Sequence, residues 1–260
     1  MAYRQYEWIF DNSIETDIVY AGNYGAKGEK RAPRRKATPE QVKRQNQRNR
    51  EIGMRRLIKA NFKEGDLWNT LKYPEGTRKE VREVQADLTR FLRKLRDRYK
   101  KLNVPLKFIY RIELGKQGGI HIHILVNRVP DADRIIQRLW IHGRVNWTSI
   151  YECGGFKSLA EYIVKEPEEI EGQISLFDEP DRGKLIKYSS SRNLVGPEPV
   201  KKEYSRRTVR KILRDGPKPH PGFYIEKNSI CIGVNPYTGY SYIHYAETRI
   251  KRKQKGGSDA

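Results

Sequence analysis

The clearest periodic signal in the chain lies between Lys79 and Lys101, where Val81, Val84, Leu88, Phe91, Leu92, Leu95 and Tyr99 recur at intervals of three and four. That stripe predicts an amphipathic helix of about six turns, packed on something flat. Strand patterns surround it. Asp66 to Leu71 precedes the helix, with Tyr73-Pro74-Glu75-Gly76 as the intervening turn, and Val104 to Leu114 follows it. Ile120 to Asn127 is a second strand after a Gly118-Gly119 turn, and Arg144 to Tyr151 a third. Asp131 is expected to cap a short helix carrying Ile135, Ile136, Leu139 and Trp140, and Ser158 to open another that Pro167 must end. The order strand, helix, hairpin, helix, strand, helix implies an α+β domain, a central antiparallel sheet flanked by helices, with the helices expected on one side.

Outside this core the pattern is weaker. Residues 21–37, with Gly22, Gly25, Gly28, Pro33 and many charges, read as an arm or loop that orders on binding. Thr38 and Pro39 look like the start of a further helix, and the stretch to about Ala60 is basic enough to lie against phosphate or stay in water. Beyond Pro180 the one strong expectation is a hairpin near Phe223 to Tyr245, turning at Asn235-Pro236-Tyr237-Thr238-Gly239. The expected division is a basic N-terminal helical arm over 1–62, a core over 63–166, and an acidic loop with a basic C-terminal extension over 167–260.

Charge adds a partner class. The 260 residues hold 53 Lys and Arg against 32 Asp and Glu, a formal net charge of +21. From Lys27 to Arg56 twelve basic residues face three Glu, and from Lys201 to Lys218 eight face two acids. Between Glu152 and Asp181 the sign reverses, with nine acids against Lys157 and Lys165. Basic flanks of this kind point to nucleic acid, held by phosphate contacts. No window approaches the ~20 apolar residues of a membrane helix, the first residues lack a secretory stretch, and two cysteines, read as small apolar fillers, suggest a reducing interior. No phosphate-cradling Gly-rich loop is present, so the chain carries no recognisable ATPase.

Candidate chemistry is concentrated in a few residues. His121 and His123 lie two apart on an expected strand, so both imidazoles share one face while Ile120, Ile122 and Ile124 take the other. If the preceding turn centres on Gln117, Glu113 stands across from His121 and Arg111 from His123. Glu113 then completes a two-His, one-carboxylate set suited to Mn²⁺ or Mg²⁺ with phosphate oxygens in the remaining positions. In the helix opened by Ser158, Leu159 and Ile163 form the expected buried edge, and Tyr162, Lys165 and Glu166 cluster beside them. A tyrosine with a lysine on one helix edge is a nucleophile with a cation to steady phosphate charge.

The order of Asn69-Thr-Leu-Lys-Tyr-Pro74, Glu113 with His121-Ile-His123, and Tyr162 with Lys165 resembles the three motifs of the His-hydrophobe-His (HUH) endonucleases. Within them it is most similar to single-tyrosine rolling-circle replication initiators, over roughly residues 63–166. Lys72 departs from the family's usual small hydroxyl residue, so Asn69 and Thr70 are given no role. The resemblance implies an HUH-like, palm or ferredoxin-like fold and a metal-dependent DNA endonuclease and strand transferase. It implies that Tyr162 attacks a phosphodiester of single-stranded or hairpin origin DNA, leaving a 5′-phosphotyrosine and a free 3′-hydroxyl. Glu113, His121 and His123 would hold the metal, and Lys165 would sit near the scissile phosphate. The replicon would be a plasmid, phage or integrative element, the location the cytoplasm of a bacterial host, and strand separation the work of a host helicase, supercoiling or an extruded hairpin. The alternatives are an HUH relaxase or transposase, or a non-catalytic basic nucleic-acid-binding protein. Finally, Gln173-Ile-Ser-Leu-Phe177 resembles the peptide that docks bacterial proteins on the replicative sliding clamp, with Leu176 and Phe177 as apolar anchors and Gln173 fixing register.

Overall fold

Residues Ile120–Val126 read Ile-His-Ile-His-Ile-Leu-Val, and burial follows the alternation: Ile120, Ile122 and Ile124 are buried while the two histidines are half-buried. A strand with one face this apolar must cover it, and it lies at the centre of a sheet. The computed structural model describes residues 2–22, 33, 36–77, 79–114, 119–151, 156–165 and 188–250. In chain order the elements are β1 (Tyr3–Ile9), β2 (Ser13–Tyr20), α1 (Pro39–Asn61), β3 (Leu67–Lys72), α2 (Val81–Lys101), β4 (Phe108–Leu114) and β5 (Ile120–Val126). They continue with α3 (Ala132–Leu139), β6 (Val145–Ser149), α4 (Lys157–Val164), β7 (Tyr188–Ser190), β8 (Val200–Tyr204), α5 (Arg206–Asp215), β9 (Phe223–Ile225), β10 (Cys231–Val234) and β11 (Ser241–Arg249). The fold is α+β.

The chain divides into two units, residues 45–196 and residues 1–44 with 197–260. In the first, an antiparallel sheet runs β6-β3-β5-β4-β7. The β4 and β5 strands pair in the expected register, with Glu113 opposite His121 and Arg111 opposite His123. On one face, Leu67, Leu71, Ile112, Ile122 and Ile124 meet Val84, Leu88, Phe91, Leu95 and Tyr99 of α2 and Ile136 of α3 in a continuous core. The α2 helix begins at a reciprocal capping box between Glu80 and Glu83, which satisfies two otherwise orphaned backbone N–H groups. Fully burying a Leu or Ile here is worth about 1.5–3 kcal/mol, so the stripe of α2 is the main adhesive of this face.

Helices lie on both faces, which corrects the one-sided expectation. Met54 and Ile58 of α1, with Phe62, pack with Ala160, Ile163 and Val164 of α4 against Ile109, Leu125 and Ile150. The α1 segment is therefore not a basic rod left in water. Its first two turns are exposed, but Met54, Leu57, Ile58 and Phe62 recur at helical spacing and anchor its second half. Thr38 does begin it: the Gln41 N–H donates to Thr38 Oγ1 at 3.3 Å and the Thr38 N–H to Gln41 Oε1 at 3.0 Å. Asp131 occupies the N-cap position of α3 in a left-handed conformation but makes no capping bond. Ser158 falls inside α4, which starts behind Phe156, whose buried ring pins the entry, and ends at the extended Lys165, ahead of Pro167.

The second unit assembles both ends of the chain. The sheet order is β10-β11-β2-β1-β8, with β9 also on β11. Residues 3–20 thus form a hairpin rather than part of a helical arm, because β1 and β2 find antiparallel partners in β8 and β11, far along the chain. For the same reason this division differs from the boundaries expected at 62 and 166. The hairpin expected between 223 and 245 is present as β10 and β11, and Asn235 Oδ1 accepts from the N–H groups of Tyr237 and Thr238 in its turn. The clamp-like peptide with Gln173, Leu176 and Phe177, together with Glu166 and Cys153, lies outside the described residues.

Gly143 sits where β6 approaches the end of β3. Its φ is +154°, and a Cβ there would lie 2.2 Å from the Lys72 carbonyl oxygen. Gly143→Ala is expected to destabilise the protein by about 2–3 kcal/mol, read as a lowered midpoint in urea unfolding with unchanged slope.

Candidate functional site

The face of the sheet opposite α2 carries the polar residues. Going across β3, β5 and β4, it presents Trp68, Thr70 and Lys72, then His121, His123 and Leu125, then Ile109, Arg111 and Glu113. The α4 helix lies over this face and delivers Tyr162. The Tyr162 hydroxyl donates a short hydrogen bond to Glu113 Oε2 and lies 2.9 Å from His123 Nε2. His123 Nε2 is itself 3.3 Å from Glu113 Oε2. The ring of Trp68 stacks on His123 at 5.6 Å between centroids and meets Tyr162 edge-on. Four side chains from three strands and a helix therefore converge on one hydroxyl group.

The phenol has one proton, which goes to Glu113. His123 satisfies the phenol oxygen from Nε2–H, and Thr70 Oγ1, 3.2 Å from Nδ1, donates to the other nitrogen. In the other tautomer Nδ1–H donates to Thr70 and the Nε2 lone pair points into the site. Thr70 serves both forms because a hydroxyl donates and accepts. It belongs to the site, although Lys72 in the adjacent motif position argued against it. Asn69 does not: it is buried on the far face, donating to the carbonyls of Leu67 and Ile124.

Electrostatics follow from burial. Desolvation is the largest influence on His123 and lowers its pKa to about 4 against the pull of Glu113, with His121, Arg111 and Lys72 adding to the depression. His121 is shifted the same way by burial and by Lys72, its cross-strand neighbour. Both imidazoles are thus neutral near pH 7, the form that ligates metals. Tyr162 is pushed well above the ordinary phenol range by burial first, then by its hydrogen bond to Glu113 and that residue's charge, while Arg111 works in the opposite sense. The phenol in this state is protonated and needs added positive charge to become a nucleophile.

The expected ligands meet unequally. Glu113 and His123 are in contact, and the His121 ring lies 6.4 Å from that of His123 on the same face. Among the described residues no group of three or more His, Cys, Asp or Glu side chains closes around a point, because the Tyr162 hydroxyl stands between Glu113 and His123. The donor types, two neutral imidazoles and a carboxylate, fit a divalent cation. Lys165 lies at the end of α4, with Tyr162, Gln47, Glu51, Ser158 and Glu161 around an open cleft of about 570 Å³. The other three histidines pair with acids elsewhere: His142 with Asp87, His220 with Glu247 and His244 with Asp17.

Arg111 has a role that the pairing rule alone did not assign. Its guanidinium is buried, and one nitrogen donates to the carbonyls of Ile163 at 2.9 Å and Lys165 at 2.6 Å. Those are terminal carbonyls of α4, which have no partner within the helix. The arginine therefore ties the tyrosine helix to the strand that carries Glu113.

With this geometry in view, one comparison is informative. Residues 66–167 match a family model for replication-associated proteins of the ORF2 type. The matched span runs from just before β3 to just past α4, so it contains every residue that converges on Tyr162. It supports a replication-related role. No curated protein and no solved structure matches the chain significantly.

Arg111→Met is expected to leave the α4 carbonyls unsatisfied, at a cost of about 3 kcal/mol. Hydrogen exchange of α4 should report the loosened helix before global unfolding, whereas exchange of α2 should be unchanged below the unfolding transition.

Proposed function

We propose that the protein is a replication initiator that nicks and rejoins origin DNA through Tyr162. The observation that carries this reading is the Tyr162 hydroxyl hydrogen-bonded to Glu113 and facing His123, inside the span that resembles a replication-associated family. Tyr162 oxygen attacks the scissile phosphorus, the bond from phosphorus to the 3′ oxygen breaks, and the product is a 5′-phosphotyrosine with a free 3′-hydroxyl. The phenol proton passes toward Glu113 Oε2, its acceptor, and the departing 3′ oxygen takes a proton from solvent. Rejoining is the reverse, so the energy of the phosphodiester is kept in the tyrosine ester.

Glu113, His121 and His123 would hold a divalent cation, Mn²⁺ or Mg²⁺, whose chemistry is to polarise the phosphate and offset developing negative charge. Trp68 holds the His123 ring by stacking, and Thr70 fixes its tautomer. Lys165, at the edge of the cleft beside Tyr162, supplies a further positive charge toward the phosphate. The substrate is single-stranded or hairpin DNA, since a nucleophile set between sheet and helix needs an exposed phosphodiester. A host helicase, supercoiling or hairpin extrusion would separate the strands. Docking on a sliding clamp through Gln173, Leu176 and Phe177 would bring a polymerase to the new 3′ end.

The test uses a randomised single-stranded oligonucleotide library and gel detection of denaturation-stable protein–DNA adducts. Adducts should form with Mn²⁺ or Mg²⁺ and vanish with chelator. Tyr162→Phe should reduce them about a thousandfold or more while retaining DNA binding. Adducts of undiminished yield in Tyr162→Phe would sink the assignment.

A further inference from the structure

The α5 helix reads Arg-Arg-Thr-Val-Arg-Lys-Ile-Leu-Arg-Asp. Its inner face is settled by packing: Val209 is buried, and Ile212 and Leu213 lie against Tyr3, Ile18, Ile243 and Tyr245 of the second sheet. Arg207, Arg210, Lys211 and Arg214 are all exposed and fall at i, i+3, i+4 and i+7, one above another on a single stripe. The helix start is fixed by Ser205, whose hydroxyl accepts from the Thr208 N–H at 3.2 Å.

This stripe works against the stability of its own helix. Like charges three and four apart repel. The first turn has no acid and two arginines, where the helix dipole favours negative charge. The one acid, Asp215, lies at the C-terminal end, where the dipole favours positive charge, and is taken up by Arg214 at 2.7 Å. Such a breach of local preference is expected where a partner supplies the missing counter-charge.

We propose that the outer face of α5 is a binding surface for duplex DNA, separate from the tyrosine chemistry and independent of it. The partner is polyanionic because Arg207, Arg210 and Lys211 present only positive charge. It is duplex rather than single-stranded because the stripe carries no aromatic ring on which an unpaired base could stack, the usual basis of single-strand affinity. A rigid helix held from behind by a sheet also matches the width of the major groove, about 12 Å, with phosphate rows on either side.

The full-length protein carrying Arg207→Gln, Arg210→Gln and Lys211→Gln should bind a 30-base-pair duplex about tenfold or more weakly near 100 mM salt. The slope of log affinity against log salt should fall by about 3, one counterion-release step for each lost phosphate contact. The charge-conserving Arg207→Lys, Arg210→Lys variant should keep the wild-type slope, which separates a lost contact from a damaged fold. An unchanged duplex affinity and slope in the triple variant would overturn the proposal. So would an equal loss for a single strand of the same length, which would make the surface non-selective, or a loss shared by the charge-conserving variant. Adduct formation on short single strands is not required for any of these results, so failure of the tyrosine assignment would be read separately.

Discussion

The antiparallel register between β4 and β5 is the constraint on which the site depends. Side chains alternate with a period of two, so a slip of one residue would turn Glu113 and Arg111 into the α2 core and bring Ile112 out beside the histidines. Ile112, Ile122 and Ile124 are buried under α2, and their burial resists that slip. The same apolar contacts that hold the domain together therefore hold Glu113 and His123 on one face. Stability and site geometry have a common source.

The second condition is that α4 must lie across this face with the right rotation. Ala160, Ile163 and Val164 seat it between α1 and the sheet, and Arg111 holds its last carbonyls. Burial has an electrostatic consequence. It keeps both imidazoles neutral while it raises the Tyr162 pKa, so the resting site is a network of neutral donors and acceptors around one carboxylate. Such a network is rigid when satisfied, and Thr70 and Trp68 complete this one around His123.

The positive charge of the chain is organised on a different unit of structure as well. The ends of the chain meet in a sheet of their own, and α5 lies on it with its apolar side inward and its basic side outward. A net charge of +21 is thus not simply a property of unfolded flanks. Part of it is displayed on a helix whose direction is set by Val209, Ile212 and Leu213.

How much of this was legible beforehand depends on the range of the interactions. The α2 stripe, the β4–β5 hairpin and its register, and the candidate set Glu113, His121, His123 and Tyr162 follow from local periodicity and a short turn, which sequence displays directly. The second apolar face was obscured because Met54, Leu57 and Ile58 are embedded among arginines, and the basic composition outweighed their spacing. The strands at 3–20 gave little signal because they are stabilised by β8 and β11, far away in the chain. The roles of Thr70 and Arg111 were decided only in three dimensions. Thr70 matters because β3 lies beside β5, and Arg111 because the end of α4 stops within reach of its guanidinium. Sequence alone determined which residues could do chemistry and which faces they occupy, since alternation and helical spacing are properties of the local backbone. Which of them share one hydroxyl, and what keeps that hydroxyl in place, was decided by tertiary packing between segments that sequence distance keeps apart.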